Sequence, residues 1–146
     1  MAEERTAAAD SRARTTTAVL LVAHGSRLGD PGGTLIRLCE AVRNEFEGLL
    51  VELAYCELQQ PDLHTAIDRC AAAGVRQVLL YPCFLLAGRH VTRDLPAALA
   101  IAQQRHPELI FQLEPPLGAD PGLTGLVSDG LRRGLTCAGW QVCGKE

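Results

Sequence analysis

Ala18-Val19-Leu20-Leu21-Val22-Ala23-His24-Gly25-Ser26-Arg27 is an apolar run of strand length that breaks into a polar, glycine-containing loop. A continuous apolar run of this length, bounded by turn signals, suits a strand buried on both faces of a parallel sheet. The same figure returns at Val78-Leu79-Leu80-Tyr81-Pro82-Cys83-Phe84-Leu85-Leu86, which gives way to Ala87-Gly88-Arg89-His90. Strands are predicted at 18–23, 50–56, 77–82 and 109–113. Helices are predicted at 34–48, where Leu35, Leu38, Cys39, Val42 and Phe46 recur at helical spacing, from Pro61 to 73, from 91 or 92 to 105, and at 121–135. Strands alternating with helices are the pattern of repeated βαβ units. The expected fold is therefore α/β, a doubly wound domain with a four-stranded parallel sheet in the order βαβαβαβα. Residues 77–82, the most continuously apolar segment, are expected to be central and covered on both faces. Residues 1–17 read as a mobile N-terminal tail, 18–135 as a single domain and 136–146 as a flexible C-terminal tail.

Composition removes several classes of function. A chain of 146 residues needs one core. With 47% hydrophobic and 21% charged residues and a net charge of −3, it has no general attraction for nucleic acid or acidic membranes. Residues 1–17 lack the apolar stretch of a signal peptide, and no run approaches the roughly 18 apolar residues of a membrane span. A cytoplasmic location is expected. The basic residues are almost all arginine, with Lys145 the only lysine. Six cysteines contain no CxxC pair, so a disulfide framework is not expected. Cys39, Cys56 and Cys70 read as small buried hydrophobes, whereas Cys137 and Cys143 lie in a polar C-terminal stretch.

His24 and His90 each stand where a buried parallel strand runs out into a loop. In an open α/β sheet the carboxyl ends of the strands share one rim, and ligands bind in the crevice there. Two imidazoles on one rim suit metal handling coupled to proton removal. Glu57 ends the second strand on that rim, where a carboxylate accepts a proton or binds a metal. Asp94, one helical turn beyond His90, is placed to hold the second ring nitrogen, or else serves only the helix dipole. Arg27, Arg89 and Arg93 bring guanidinium groups to the rim, a pattern that reads carboxylates. The loop containing Ser26 runs through Gly32-Gly33 into a helix, whose amino end favours an anion. Neither GxGxxG nor a P-loop is present. His64, within the second helix, and His106, before a proline, read as surface histidines.

Taken together, His24-Gly25-Ser26-Arg27, then Glu57 with Pro61, then Phe84-Leu85-Leu86-Ala87-Gly88-Arg89-His90-Val91 with Asp94 and Pro96, then Pro115-Pro116-Leu117-Gly118 resemble the small class II chelatases. These are the sirohydrochlorin cobaltochelatases of the CbiX and SirB type, with their ferrochelatase and nickelochelatase relatives. The resemblance covers residues 19–135. It implies a flavodoxin-like fold and ATP-independent insertion of a divalent metal into a modified tetrapyrrole, a lyase reaction. It casts His24 and His90 as the metal-handling and catalytic pair, with Glu57 as an assisting carboxylate. It further implies a sirohydrochlorin-like substrate held by Ser26, Arg27, Arg89 and Arg93, with Leu85 and Leu86 against the ring. No tightly bound cofactor is implied; Co2+, or else Fe2+ or Ni2+, enters as substrate. A single-unit chain of this kind is expected to form a homodimer that imitates the two-unit members, with no nucleic-acid or membrane partner. The first loop departs from the family pattern, with Gly32-Gly33-Thr34 where an asparagine is common.

Two other classes of function are compatible with parts of this pattern. A carrier of metal or tetrapyrrole would use the same residues without turnover. A flavodoxin-like nucleotide or regulatory module shares the fold, but a receiver domain needs an acidic cluster where the first strand ends, and this chain has His24 there.

Overall fold

The computed structural model describes residues 16–140. Residues 1–15, and with them most of the expected N-terminal tail, lie outside the described residues, as do Cys143 and Lys145. The elements in chain order are β1 (Thr17–Ala23), α1 (Thr34–Glu45), β2 (Leu50–Tyr55), α2 (Leu63–Ala72), β3 (Gln77–Pro82), a π-helical turn (His90–Asp94), α3 (Leu95–Arg105), β4 (Ile110–Leu113), a 3-10 turn (Leu117–Ala119) and α4 (Gly122–Ala138). The strands form one parallel sheet in the order β2-β1-β3-β4. This is the expected doubly wound α/β arrangement, with β1 and β3 side by side where the strand order reverses.

Side-chain alternation divides the core. Ala18, Leu20 and Val22 of β1 point with Val78 and Leu80 of β3 into a core closed by Leu63, Ile67 and Cys70 of α2 and Leu95 and Ala102 of α3. Val19 and Leu21 point the other way, with Val51 of β2, against Cys39 of α1. Complete burial of a side chain such as Leu20 or Leu80 stabilises the fold by about 1.5–3 kcal/mol.

Coverage of the sheet differs from expectation at β3. The strand enclosed on both faces is β1, buried from Ala18 to Ala23, whereas β3 alternates between buried and partly exposed residues. Continuous apolarity in β3 reflects its interior position between β1 and β4 rather than cover on both sides. Alpha helices α2 and α3 take one face and α1 covers β1 and β2 on the other. Helix α4 covers neither face: it buries no side chain, and its principal contacts are with the 3-10 turn before it. It also continues three residues past the expected end at 135, to Ala138, where Gly139 closes it in the left-handed conformation (φ 68°). The start of the presumed flexible tail is therefore helical.

Local chemistry explains the other boundaries. Pro61 stands outside α2, because Asp62 is the N-cap and its Oδ1 accepts from the Thr65 N–H at 2.8 Å. The helical segment before α3 begins at His90 and its first turn is π-helical, with the Leu95 N–H donating to the His90 carbonyl five residues back. Pro96 has no N–H to give and crowds the carbonyl four residues before it, which disfavours a regular turn there.

His106 is not a simple surface histidine. Its Nε2 lies 2.7 Å from Asp68 Oδ1 and its Nδ1 3.4 Å from Glu108 Oε1, tying the end of α3 to α2, while Arg105 donates to Asp68 Oδ2 at 2.8 Å. The hydrogen bond from His106 holds the Asp68 carboxyl below the usual aspartate range; burial opposes it, and the hydrogen bond and charge of Arg105 add to the lowering. A carboxyl that binds its proton less readily when folded adds stability above the ordinary value, near pH 4, and loses it as pH falls through the lower folded value. Asp68→Asn is therefore expected to be less stable than the parent at pH 7 and to converge on it as the pH is lowered from about 5 towards 2. Urea unfolding across that range checks this; a constant gap between the two proteins would refute it.

Candidate metal-binding and catalytic site

The carboxyl ends of β2, β1 and β3 deliver three side chains to one place. His24 follows β1 directly, Glu57 stands two residues beyond β2, and His90 begins the π-helical turn after β3. Backbone pairing continues past the strand ends and holds these loops together: the Cys56 N–H donates to the Ala23 carbonyl at 2.9 Å, the Glu57 N–H to His24 at 3.1 Å, and the Cys83 N–H to Val22 at 2.7 Å. Gly25, with φ 93°, lets the first two loops approach, since a Cβ there would lie 1.8 Å from the Glu57 carbonyl oxygen.

His24 Nε2 is 3.2 Å from Glu57 Oε1, and His90 Nε2 is 3.3 Å from the same oxygen. The two imidazole rings meet edge to face with centroids 4.5 Å apart. One ligand atom from each of the three residues lies within 4.8 Å of the others. The outer ring nitrogens face acceptors: His24 Nδ1 is 3.1 Å from the Gly25 carbonyl oxygen, and His90 Nδ1 is 3.0 Å from Asp94 Oδ2. Asp94 thus stands where the sequence placed it, four residues along the π-helical turn. With protons on both Nδ1 atoms, both Nε2 atoms present lone pairs. Two lone pairs and a carboxylate oxygen then converge with no donor among them, an arrangement that a proton or a cation satisfies. Tetrahedral bonds of about 2.0–2.1 Å place ligand atoms about 3.3 Å apart, the spacing observed on Glu57. Three protein ligands leave a coordination position open to a further group.

Glu57 is held by a tight turn. The Gln59 N–H donates to the Glu57 carbonyl at 2.8 Å across Leu58, whose φ of 65° is unusual for a residue with a branched side chain. Gln59 Oε1 in turn accepts from the Ser26 N–H at 2.8 Å. Ser26 Oγ accepts from the Leu28 N–H at 3.2 Å, so this hydroxyl shapes its own loop. Leu58 and Gln59 were not singled out by sequence reasoning; a polar stretch between a strand and Pro61 is an ordinary loop signal. Phe84 packs at a ring distance of 6.4 Å from His24. A Cβ at Gly118 would lie 1.7 Å from the Leu85 carbonyl oxygen, so the connection after β4 sits tight against the loop after β3.

The remaining expected residues lie around this centre. Arg27, Arg89 and Arg93 are exposed, and Arg89 Nε is 3.9 Å from Asp94 Oδ2. Leu85 and Leu86 are 64% and 83% exposed, available to an apolar ligand rather than committed to the core. His64 departs from its expected surface role: its Nδ1 is buried without a partner, and it lines a cavity of about 440 Å³ with Cys56, Asp62, Arg89 and Asp94, beside Glu57 and His90. Burial, with Asp94 and Glu57 nearby, pushes the Cys56 thiol up to about 11, so a thiolate there is not a ready metal ligand. The donor set of this rim is nitrogen and oxygen, which suits divalent first-row metals.

The CbiX family matches the chain over residues 18–133. The chain belongs to the CbiX family. Among relatives of this CbiX protein, the sirohydrochlorin cobaltochelatase of Priestia megaterium is 33% identical over 101 residues, covering 68% of the chain and 32% of that protein. The sirohydrochlorin cobaltochelatase of Methanocaldococcus jannaschii is 33% identical over 89 residues, covering 61% of the chain and 62% of that protein. The chain thus spans about a third of the first relative's length and less than two thirds of the second's. The crystal structure of a putative cobalamin biosynthesis CbiX protein from Marinobacter aquaeolei VT8 superposes with a TM-score of 0.72 at 32% identity, over 82% of this chain and 98% of that one. The flavodoxin-like CbiX fold expected from the motifs is the fold observed.

Proposed function

We propose that this CbiX protein inserts a divalent metal, cobalt in the first instance and iron or nickel as alternatives, into sirohydrochlorin without ATP. The observation that carries this reading is the convergence of His24 Nε2, His90 Nε2 and Glu57 Oε1 on an exposed rim, with both histidine nitrogens within 3.3 Å of one carboxylate oxygen. A metal that must leave into a macrocycle suits three protein ligands and an open position better than a closed four-ligand site. The names of the Priestia and Methanocaldococcus relatives supply the substrate and favour cobalt.

In this mechanism His24 and His90 hold the incoming cation at Nε2 and replace part of its water shell. Glu57 neutralises charge between them and, once the metal passes into the ring, takes up a pyrrole proton together with the freed imidazoles. Asp94 fixes the tautomer of His90 and raises its basicity. Ser26, Arg27, Arg89 and Arg93 face the carboxylates of the macrocycle, and Leu85 and Leu86 its apolar surface. The metal is substrate, and no resident cofactor takes part. The same reading makes the working unit a pair of chains acting in the cytoplasm. Among the described residues no helix is long and apolar enough to cross a membrane.

Purified protein supplied with excess sirohydrochlorin and, separately, Co2+, Fe2+ and Ni2+ is expected to change the absorbance of many equivalents of macrocycle beyond a protein-free control. A change that stops at one equivalent would replace the enzyme by a carrier using the same residues.

A further inference from the structure

The three loops that carry His24, Glu57 and His90 each also hold out leucine. Leu28 follows β1 and is 85% exposed, Leu58 follows β2 and is 57% exposed, and the exposed Leu85 and Leu86 precede His90 in the loop after β3. A single exposed leucine is ordinary on a protein surface. Leu58 differs, because its φ of 65° makes it the one non-glycine residue of positive φ among the described residues. The Gln59 N–H, donating to the Glu57 carbonyl at 2.8 Å, closes a γ-turn around it, in the rarer and strained form whose central φ is positive. Glycine adopts such a conformation freely, whereas a leucine there carries a steric cost. Among the described residues no packing offsets that cost: Leu58 belongs to neither core cluster, and the hydrogen bond of the turn needs only backbone.

We propose that Leu58 is a contact for the face of the tetrapyrrole, kept in a strained turn because there it stands beside Glu57 where the macrocycle settles. Leu58 is next in sequence to the carboxylate whose Oε1 lies within 3.3 Å of both histidine nitrogens. With Glu57, Gln59 and Asp62 it also lines a hollow of about 360 Å³ on the same rim. The strand order β2-β1-β3 puts Leu58 on one flank of His24, and Leu85 and Leu86 on the other. Strands two places apart in a sheet are separated by about 9–10 Å, comparable with the span of a four-pyrrole ring. A flat ring laid over the three ligand atoms therefore meets leucine on both flanks, whereas a hydrated cation by itself needs neither. The turn is also fixed in advance. Gln59 Oε1 accepts from the Ser26 N–H at 2.8 Å, and the Gly25 backbone lies directly against the Glu57 carbonyl, so Leu58 is held in place before a ligand arrives. This role rests on the sirohydrochlorin reading of the site and adds to it a residue that selects a macrocycle.

Leu58→Ala keeps the positive φ and its cost but deletes the exposed part of the side chain. At 57% exposure a ligand covers at most about half of this leucine. Metal-free sirohydrochlorin, titrated by its absorbance, is therefore expected to bind Leu58→Ala about 3- to 12-fold more weakly than the parent. The KM for the macrocycle rises in proportion and kcat is retained, as when a contact made equally in ground and transition states is lost. Affinity for Co2+ alone and the melting temperature are expected to match the parent, because Glu57 and its turn stay in place. Leu58→Met, apolar and adaptable, is expected to recover most of the macrocycle affinity. Leu58→Gly is expected to bind the macrocycle as weakly as Leu58→Ala while melting at or above it, since glycine relieves the positive φ. Unchanged sirohydrochlorin affinity in Leu58→Ala overturns the contact and leaves metal insertion intact. So does a loss matched by an equal loss of Co2+ affinity, or a Leu58→Gly protein that melts below Leu58→Ala. A parent that binds Co2+ but not sirohydrochlorin overturns the functional reading and this role together.

Discussion

His90→Ala is expected to slow metal insertion by about 100-fold or more, while the melting temperature stays within a few degrees of the parent. The substitution removes one of the three atoms that converge on Glu57 and leaves Asp94 without the imidazole it orients. His90 is partly exposed and belongs to neither core cluster, so the fold loses little. His24→Ala is expected to behave in the same way, because His24 holds the symmetrical place across Glu57 at 3.2 Å. Asp94→Asn keeps all three ligands and disturbs only the outer nitrogen of His90, so a smaller loss, about 10- to 100-fold, is expected. Initial rates of sirohydrochlorin metallation with matched melting curves separate these effects. An undiminished rate in His90→Ala would remove it from the mechanism.

Gly25→Ala is expected to destabilise the protein by about 2–4 kcal/mol and to weaken metal binding beyond what the loss of stability explains. Its φ of 93° is unfavourable for any side chain, and the new Cβ would stand 1.8 Å from a backbone oxygen that cannot rotate away. The loop after β1 must then separate from the loop after β2. That movement breaks the bond from Glu57 N–H to the His24 carbonyl and the one from Ser26 N–H to Gln59. Gly74→Ala provides the control, with a similar φ of 79° but no atom within 4 Å of the added carbon. Denaturant midpoints should show Gly74→Ala losing about 1 kcal/mol, the conformational part alone. Equal losses at the two sites would show that the close approach at Gly25 is unimportant.

The site was legible as far as strand ends are legible. His24 and His90 follow apolar runs, and in a parallel sheet all such ends lie on one rim, so their convergence with Glu57 follows from periodicity and topology. Asp94 was legible because a four-residue spacing reaches the same face of a helical turn. Gln59, Leu58 and the contact of Gly25 with Glu57 were not, since each depends on how closely two loops from different strands approach. His64 and His106 were misjudged for a related reason. Both lie on polar stretches of sequence, but α2 and α3 pack side by side and enclose part of what each helix shows alone.

The amino-acid sequence by itself determined the alternation of strands and helices and the identity of the rim residues, because these depend on periodicities of two and 3.6 residues along one chain. Only the tertiary structure decided that β1 rather than β3 is fully enclosed, that three loops bring one ligand atom each to within 4.8 Å of the others, and that α4 buries none of its side chains. These outcomes depend on how closely segments distant in the sequence approach one another, as where the Gly118 backbone lies against Leu85, 33 positions earlier.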